Sequence, residues 1–290
     1  MFTGSLVAIV TPFRNGKLDE TAFGDLINFQ ISQGTDGIVP CGTTGESATL
    51  TPLEHERVIA FTVEVVNRRV PVIAGTGSNA TEEATTFTQH ALKAGADAAL
   101  LITPYYNKPT QEGLFQHYST IANAVDLPLI LYNIPSRTSV NMLPSTTARL
   151  SKIPSIVAIK EGSGSLQQVS DVIQECGDSF TVLSGDDPLT LPMMALGAKG
   201  VITVTANIVP KDMAAMVNAV LGSRWEEARQ LHFKMAPLFK ALFYETNPIP
   251  VKEALAMMNK IDGEVRLPLT PLSSDNREKL RQALNTYGLI

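Results

Sequence analysis

A lysine that directly follows an apolar run is the residue with the clearest chemical potential in this sequence. Lys160 comes after the run 156–159, so its aliphatic stem would emerge where that strand ends. Burial there disfavours the ammonium form and lowers the pKa of the amine. A neutral amine attacks a ketone to form a Schiff base. Taken by itself, the position also fits a solvated lysine at the end of a strand.

Two other segments, 42–45 and 132–138, carry groups suited to a keto acid. Tyr132 ends the preceding run, and its phenol could carry a proton to and from a carbinolamine. The turn 42–45 offers backbone N–H groups and the hydroxyls of Thr43 and Thr44, which suit a carboxylate. Arg137 follows Pro135 and could bind a second carboxylate through two parallel hydrogen bonds. The alternatives are an aromatic cap on a core, a plain glycine turn and a surface ion pair.

Eight short apolar runs with helix-like intervals between them must position these groups. The runs are 6–10, 37–40, 70–74, 98–102, 127–132, 156–159, 180–183 and 200–204. This alternation predicts a parallel sheet built from strand–helix–strand units. Eight strands favour a closed (β/α)8 barrel, the TIM barrel, over an open doubly wound sheet of about five to seven strands. In such a barrel, catalytic groups lie where the strands end.

Helix-start signals support this organisation. Thr51 with Glu54 forms a capping box, Ser165 with Gln168 a second one, and Asn79 with Glu82 is a third candidate. After Ser223 the pattern is helical only, over 225–241, 251–259 and 275–286. We therefore predict a catalytic barrel over 1–222 and a packed C-terminal helical domain over 223–290.

Composition excludes several classes of protein. The 290 residues are 44% hydrophobic and 18% charged, which excludes disorder, collagen and coiled coil. A balance of 23 basic and 28 acidic residues gives a net charge of −5, without the basic footprint of a nucleic-acid-binding protein. Two cysteines are too few for a disulfide framework, and no apolar run is long enough to span a bilayer. These features predict a soluble cytoplasmic protein.

Cofactor and metal sites are not predicted. Residues 75–80 match a dinucleotide-binding fingerprint, but the next strand ends at Thr103-Pro104 without the acid that would hold the ribose. The four histidines, His55, His90, His117 and His232, are scattered and lack metal-ligand spacing. We expect them on solvated helix faces.

Taken together, these segments resemble the dihydrodipicolinate synthase (4-hydroxy-tetrahydrodipicolinate synthase) family of the pyruvate-dependent class I aldolase superfamily. The resemblance covers nearly the whole chain and is carried by residues 42–46, 132–138 and 159–161. It implies a lyase that condenses pyruvate with aspartate 4-semialdehyde in diaminopimelate and lysine biosynthesis. It also implies that a Schiff base on Lys160 performs this reaction without a cofactor.

The resemblance implies a role for each matching residue. Tyr132 would be the acid and base, relayed through Thr43 to Tyr106, which the neighbouring subunit contributes in this family. Activity would then depend on a dimer within a homotetramer. Thr44 would bind the carboxylate of pyruvate and Arg137 that of the semialdehyde. Two further positions match residues that line the pocket, namely Gly185 and Ile202, the latter through its backbone carbonyl near Lys160.

The resemblance also implies a regulatory site, although not every residue of that site matches. Members that lysine inhibits bind it in a cleft at the tight dimer interface, and six residues match that cleft: Ser47, Ala48, His55, Asn79, Glu83 and Tyr105. Pro52 stands where some regulated members have a histidine, so we expect weak or absent inhibition rather than tight inhibition.

Two alternative functions would leave different residues at these positions. Sister lyases, such as N-acetylneuraminate lyase or a 2-keto-3-deoxy sugar acid aldolase, share the lysine and the tyrosine. They are expected to lack an arginine at position 137, because their aldehydes are sugars. A barrel that only binds a keto acid would be free to lose at least one of Lys160, Tyr132, Thr43 and Tyr106, and all four are present.

Overall fold

Eight short parallel strands form a barrel in the computed structural model, which describes residues 2–290. The strands are β1 (Gly4–Ala8), β2 (Gly37–Val39), β3 (Ile73–Gly75), β4 (Ala98–Ile102), β5 (Leu129–Asn133), β6 (Ile156–Glu161), β7 (Thr181–Ser184) and β8 (Gly200–Thr203). Hydrogen bonding runs in the order β2-β1-β8-β7-β6-β5-β4-β3. A parallel bridge between Ile38 and Val72 joins β2 to the start of β3 and completes the ring. The predicted TIM barrel is confirmed.

Twelve helices surround the barrel within the described residues. They are α1 (Glu20–Ser32), α2 (Pro52–Val66), α3 (Thr81–Ala94), α4 (Gln111–Ala124), α5 (Pro135–Thr138), α6 (Pro144–Leu150), α7 (Leu166–Cys176), α8 (Thr190–Ala195), α9 (Pro210–Leu221), α10 (Trp225–Ala241), α11 (Ile249–Met257) and α12 (Ser274–Tyr287). A small hairpin of Phe13–Arg14 with Lys17–Leu18 was not predicted.

Several boundaries differ from the predictions for local reasons. The runs 70–74 and 127–132 begin before their strands because Pro71 and Pro128 have no N–H for the ladder. The capping box at Thr51 is complete, whereas at Ser165 only the hydroxyl bond from the Gln168 N–H is present. The candidate cap at Asn79 is wrong, because α3 begins after Ala80.

Side chains alternate between the two faces of each strand and so form two apolar cores. All eight strands contribute to an inner core inside the barrel, formed by Leu6, Ala8, Val39, Ile73, Ala98, Leu100, Ile130, Tyr132, Ala158, Leu183 and Ile202. The intervening residues, such as Val7, Leu131 and Ile159, face the helices and join the larger outer core. Because successive side chains of a strand point to opposite faces, the inner positions continue towards the mouth of the barrel.

The C-terminal helices share the outer core of the barrel. Leu238 of α10, Leu255 of α11 and Leu280 of α12 are fully buried members of it. The division of the chain into 1–222 and 223–290 stays a prediction, since apolar packing continues across it. No helix of the described chain is both long and apolar enough to cross a membrane.

Candidate active site

Lys160 lies on the inner side of the barrel near the end of β6. It follows the inner-core residue Ala158 by two positions, so both side chains point into the barrel. The register pairs Lys160 with Tyr132 of β5 and Leu183 of β7. Its Nζ lies 4.2 Å from the centre of the Tyr132 ring, and the residue is only 6% exposed. The structure therefore places the lysine beside the tyrosine, as the sequence predicts.

Burial makes Lys160 a usable nucleophile. It lowers the pKa of the amine from 10.5 to about 8, opposed by the charge of Asp187 and assisted by that of Arg137. At pH 7, a pKa near 8 leaves roughly a tenth of the amine neutral, against fewer than about one in a thousand for an ordinary lysine. Unlike a solvated lysine, this one is poised to attack a carbonyl carbon.

Tyr132 is prepared to give and take a proton. Burial raises the pKa of its phenol above the ordinary value, although Arg137 and a hydrogen bond with Thr43 act in the opposite direction. The phenol therefore stays protonated at neutral pH and can serve as an acid towards a group on Lys160. Tyr106 is not part of this cluster, because its side chain is 89% exposed and its backbone is left-handed, with φ 71°.

The turn after β2 is held by Asn247, which lies in the loop between α10 and α11. Thr44 is 2% exposed, and its Oγ1 accepts a hydrogen bond of 2.9 Å from Nδ2 of Asn247. The backbone carbonyl of Asn247 in turn accepts a bond of 3.1 Å from the Arg137 guanidinium, which rises from the four-residue helix α5. Oδ1 of Asn247 is buried without a hydrogen-bond partner among the described residues.

Sequence reasoning missed Asn247. It is separated from Thr44 by 203 residues and from Arg137 by 110. It also lies outside the predicted barrel, so neither motif spacing nor a strand end pointed to it.

Gly185 lies against the stem of Lys160. A Cβ at this position would stand 3.2 Å from both Cγ and Cε of Lys160 and 3.1 Å from the carbonyl oxygen of Glu161. Glycine therefore leaves the lysine its path to the barrel mouth. Ile202 is 1% exposed and belongs to the inner core together with Tyr132 and Ala158.

Comparisons with known proteins identify the family. A model of the Dihydrodipicolinate synthetase family matches residues 1–287. The chain belongs to this family. A relative from Syntrophobacter fumaroxidans, named 4-hydroxy-tetrahydrodipicolinate synthase, is 63% identical over all of both chains. One of the same name from Thermodesulfovibrio yellowstonii is 62% identical, again over all of both chains.

Solved structures agree with the sequence relatives. A dihydrodipicolinate synthase from Aquifex aeolicus has a TM-score of 0.98 at 52% identity, over 99% of each chain. A chloride-inhibited dihydrodipicolinate synthase from Acinetobacter baumannii, complexed with pyruvate, has a TM-score of 0.98 at 49% identity over all of both chains. The predicted family, the lyase class and the 4-hydroxy-tetrahydrodipicolinate synthase activity are confirmed.

A cavity of about 590 Å³ extends from three of the predicted catalytic and substrate-binding residues to most of the predicted regulatory cleft, whereas Lys160 and Thr44 are not among the residues that line it. Thr43, Tyr132 and Arg137 line one part of it. Five of the six predicted lysine-site residues line the rest: Ser47, Ala48, His55, Glu83 and Tyr105. The sixth, Asn79, lies outside the lining, and its carbonyl accepts a hydrogen bond of 2.8 Å from Asn107.

The prediction of solvated histidines is wrong for His55 and His117. His55 is 4% exposed, its Nε2 lies 2.9 Å from the carbonyl oxygen of Gly75, and burial lowers its pKa. Burial also lowers the pKa of His117, to about 4. Both residues lie on the buried faces of their helices, α2 and α4. Within residues 2–290 no group of three or more His, Cys, Asp or Glu side chains is arranged to hold a metal ion.

Proposed function

We propose that this synthase condenses pyruvate with aspartate 4-semialdehyde through a Schiff base on Lys160. The observation that carries the proposal is that Lys160, near the end of β6, is buried with a pKa of about 8 and lies beside the protonated Tyr132 of β5. The names of relatives about 60% identical over the full length support the same reaction. The Arg137 guanidinium, at the cavity wall, suits a substrate that carries a second carboxylate.

The reaction starts with attack of the Lys160 Nζ on C2 of pyruvate. The carbinolamine loses water as the Tyr132 phenol supplies a proton, which leaves an iminium. Transfer of a methyl proton to the Tyr132 phenolate gives the enamine and restores the phenol. The enamine carbon attacks the aldehyde carbon of the semialdehyde, and the aldehyde oxygen takes up a proton to become a hydroxyl. The amine of the second substrate then adds to the iminium carbon, closes the ring and releases Lys160 as a free amine. None of these reaction steps oxidises or reduces the substrates overall, so the reaction needs no redox partner.

The two carboxylates would bind at different places. Thr44 accepts its hydrogen bond from Asn247, so its own O–H is free to donate to the carboxylate of pyruvate. Arg137 would hold the carboxylate of the semialdehyde. Gly185 and Ile202 would bound the space around the imine, with Thr43 relaying the proton of Tyr132.

The substrate requirement tests the function directly. We expect pyruvate consumption only when aspartate semialdehyde is present, in metal-free buffer without nicotinamide. The matched control replaces the semialdehyde with N-acetylmannosamine or a sugar-derived aldehyde at equal concentration. Consumption with a sugar aldehyde and none with the semialdehyde would instead establish a sister lyase.

We also propose a homotetramer in which a neighbouring subunit supplies Tyr106. The tyrosine is 89% exposed in a single chain and lies outside the cavity lining, whereas Tyr105 lines the cavity. A partner chain packed over this loop would place Tyr106 near Thr43. Sedimentation velocity should give the mass of four chains, and full activity of a monomer would contradict the proposal.

We propose that free lysine binds weakly in the regulatory part of the cavity. Glu83 and the uncharged His55 offer groups for an amino acid, and Nδ1 of His55 is buried without a partner within the described part of the chain. Pro52 also lines this cavity and provides no N–H or side-chain polar group. Calorimetric titration with lysine should show weak binding that His55→Leu removes. Tight binding, or binding unchanged in the variant, would contradict the proposal.

A cytoplasmic location remains part of this proposal. Cys41 and Cys176 are buried and unpaired. Free thiols are the usual state in a reducing compartment.

A further inference from the structure

A buried ion pair joins the C-terminal helices to the turn that carries Thr43 and Thr44. The side chains of Lys252, in α11, and Glu46, directly after the turn, have no exposure, and their Nζ and Oε1 atoms are 2.5 Å apart. Oε2 of Glu46 accepts a bond of 3.0 Å from the Arg266 N–H. Lys252 donates a second bond, of 2.9 Å, to the carbonyl oxygen of Thr11. Desolvating two charges is costly and often gives no net stability, so stability alone is a poor reason for this pair.

The pair holds one end of the turn in place. Glu46 has a left-handed backbone, with φ 53°, and its N–H donates to the carbonyl oxygen of Thr43 over 3.1 Å. The adjacent carbonyl oxygen of Gly45 accepts a bond of 2.7 Å from the Thr11 hydroxyl. Lys252 thus contacts both Glu46, which directly follows the turn, and Thr11, which holds Gly45. A shift of Glu46 would move Thr43 and Thr44 with it.

The loop that leads into the same helix also contacts the site. Asn247 stands two residues before α11 and touches both Thr44 and Arg137. The Lys252 N–H donates to the carbonyl oxygen of Pro248, so Lys252 lies in the first turn of this helix. The loop residue Asn247 and Lys252 of α11 therefore contact the turn after β2 and the residue that follows it at two points.

We propose that Glu46 and Lys252 form a positioning pair that sets Thr44 at the right place for the carboxylate of pyruvate. Glu46 belongs to the cavity lining, but neither side chain of the pair is exposed. The pair would therefore act through the turn, on the capture of pyruvate and not on the nucleophilicity of Lys160. The inference rests on the proposed function, because it takes Thr44 as the group that binds this carboxylate.

Trapping of the imine with borohydride separates the binding of pyruvate from the formation of the imine. The amount of imine trapped at different pyruvate concentrations gives a half-saturating concentration and a maximal rate, and the assay needs no semialdehyde. The variants are Lys252→Met, Glu46→Gln and the double variant, each with its thermal unfolding midpoint. The matched control is Glu253→Gln, which removes an ion pair of 2.7 Å between the same helix and Arg277 of α12.

We expect the half-saturating pyruvate concentration to rise by about tenfold or more in the single and double variants. The maximal trapping rate should stay within about threefold of the parent chain, because Lys160 and Tyr132 are untouched. Each single variant should melt earlier, because one buried charge is left unpaired, and the double variant should regain much of that loss. Glu253→Gln should leave the half-saturating concentration unchanged.

The decisive result is the double variant. If it regains both the unfolding midpoint and the half-saturating concentration of the parent, the pair is structural only and the proposal fails. Thr11→Val removes the hydroxyl bond to Gly45 without changing charge and should also raise the half-saturating concentration. If the charge variants do not fold, this variant decides, and an unchanged value overturns the proposal. Absence of any imine in the parent chain would instead overturn the proposed function.

Discussion

Lys160→Ala is expected to lose at least about 10⁴-fold in turnover, because the variant has no amine to form the imine. The side chain is nearly buried and its Nζ lies beside the Tyr132 ring, which is where the proposed mechanism requires the amine. Mass spectrometry after borohydride treatment should show the pyruvate adduct on the parent chain and none on the variant. An adduct on the variant would contradict the role of Lys160.

Two further variants separate loss of the amine from loss of structure or charge. Lys152→Ala removes an exposed lysine shortly before β6 and should keep full activity. Lys160→Arg keeps a positive charge in the barrel but provides no nucleophile at accessible pH, so it should be as inactive as the alanine variant. Recovery of activity in Lys160→Arg would mean that the charge, and not the amine, is what the reaction uses.

The pH dependence of trapping follows from the pKa of Lys160. Only the neutral amine attacks pyruvate, so the trapping rate should rise as pH increases through about 8 and level off above it. A lysine with an ordinary pKa would give a rate that still increases at pH 10.

The parts of the site that were predictable are those that parallel strand topology brings together. In a barrel of parallel strands, all carboxyl ends meet at one mouth, so a lysine after one apolar run and a tyrosine in the preceding run had to be neighbours. The register confirms this pair and also explains why Gly185, after the next strand, touches the lysine stem. These contacts follow from strand order alone.

The parts that were missed depend on tertiary packing of the C-terminal helices and of the loop between α10 and α11. Asn247 and Lys252 contact Thr44 and Glu46 at sequence separations of 203 and 206 residues. A lysine in a helical stretch looks solvated in the sequence, and the sequence does not show that its partner is Glu46. The burial of His55 was missed for a related reason, because the helical pattern of α2 does not reveal which neighbour covers that face.

Arg137→Ala should discriminate between the two substrates. We expect kcat/KM for aspartate semialdehyde to fall by about 100-fold or more, because the guanidinium is the proposed partner of its carboxylate. Half-saturation of trapping by pyruvate should change by less than about threefold, since the side chain of Asn247, and not Arg137, donates the hydrogen bond to Thr44. Steady-state kinetics with each substrate varied in turn, together with trapping, measures both effects.

The positive charge of Arg137 also affects the pKa of Lys160, and therefore the pH profile of trapping. Its positive charge lowers the pKa of Lys160, so removing it should raise that pKa and move the trapping profile to higher pH. Arg137→Lys should leave the profile nearly unchanged yet still impair use of the semialdehyde, because an ammonium cannot form the two parallel bonds of a guanidinium.

Arg149→Ala, which removes an exposed arginine paired with Glu112, is the matched control and should alter neither property. Equal losses for pyruvate and semialdehyde in Arg137→Ala, with no shift of the profile, would remove Arg137 from its proposed role and leave the recognition of the second carboxylate to another group at the cavity wall.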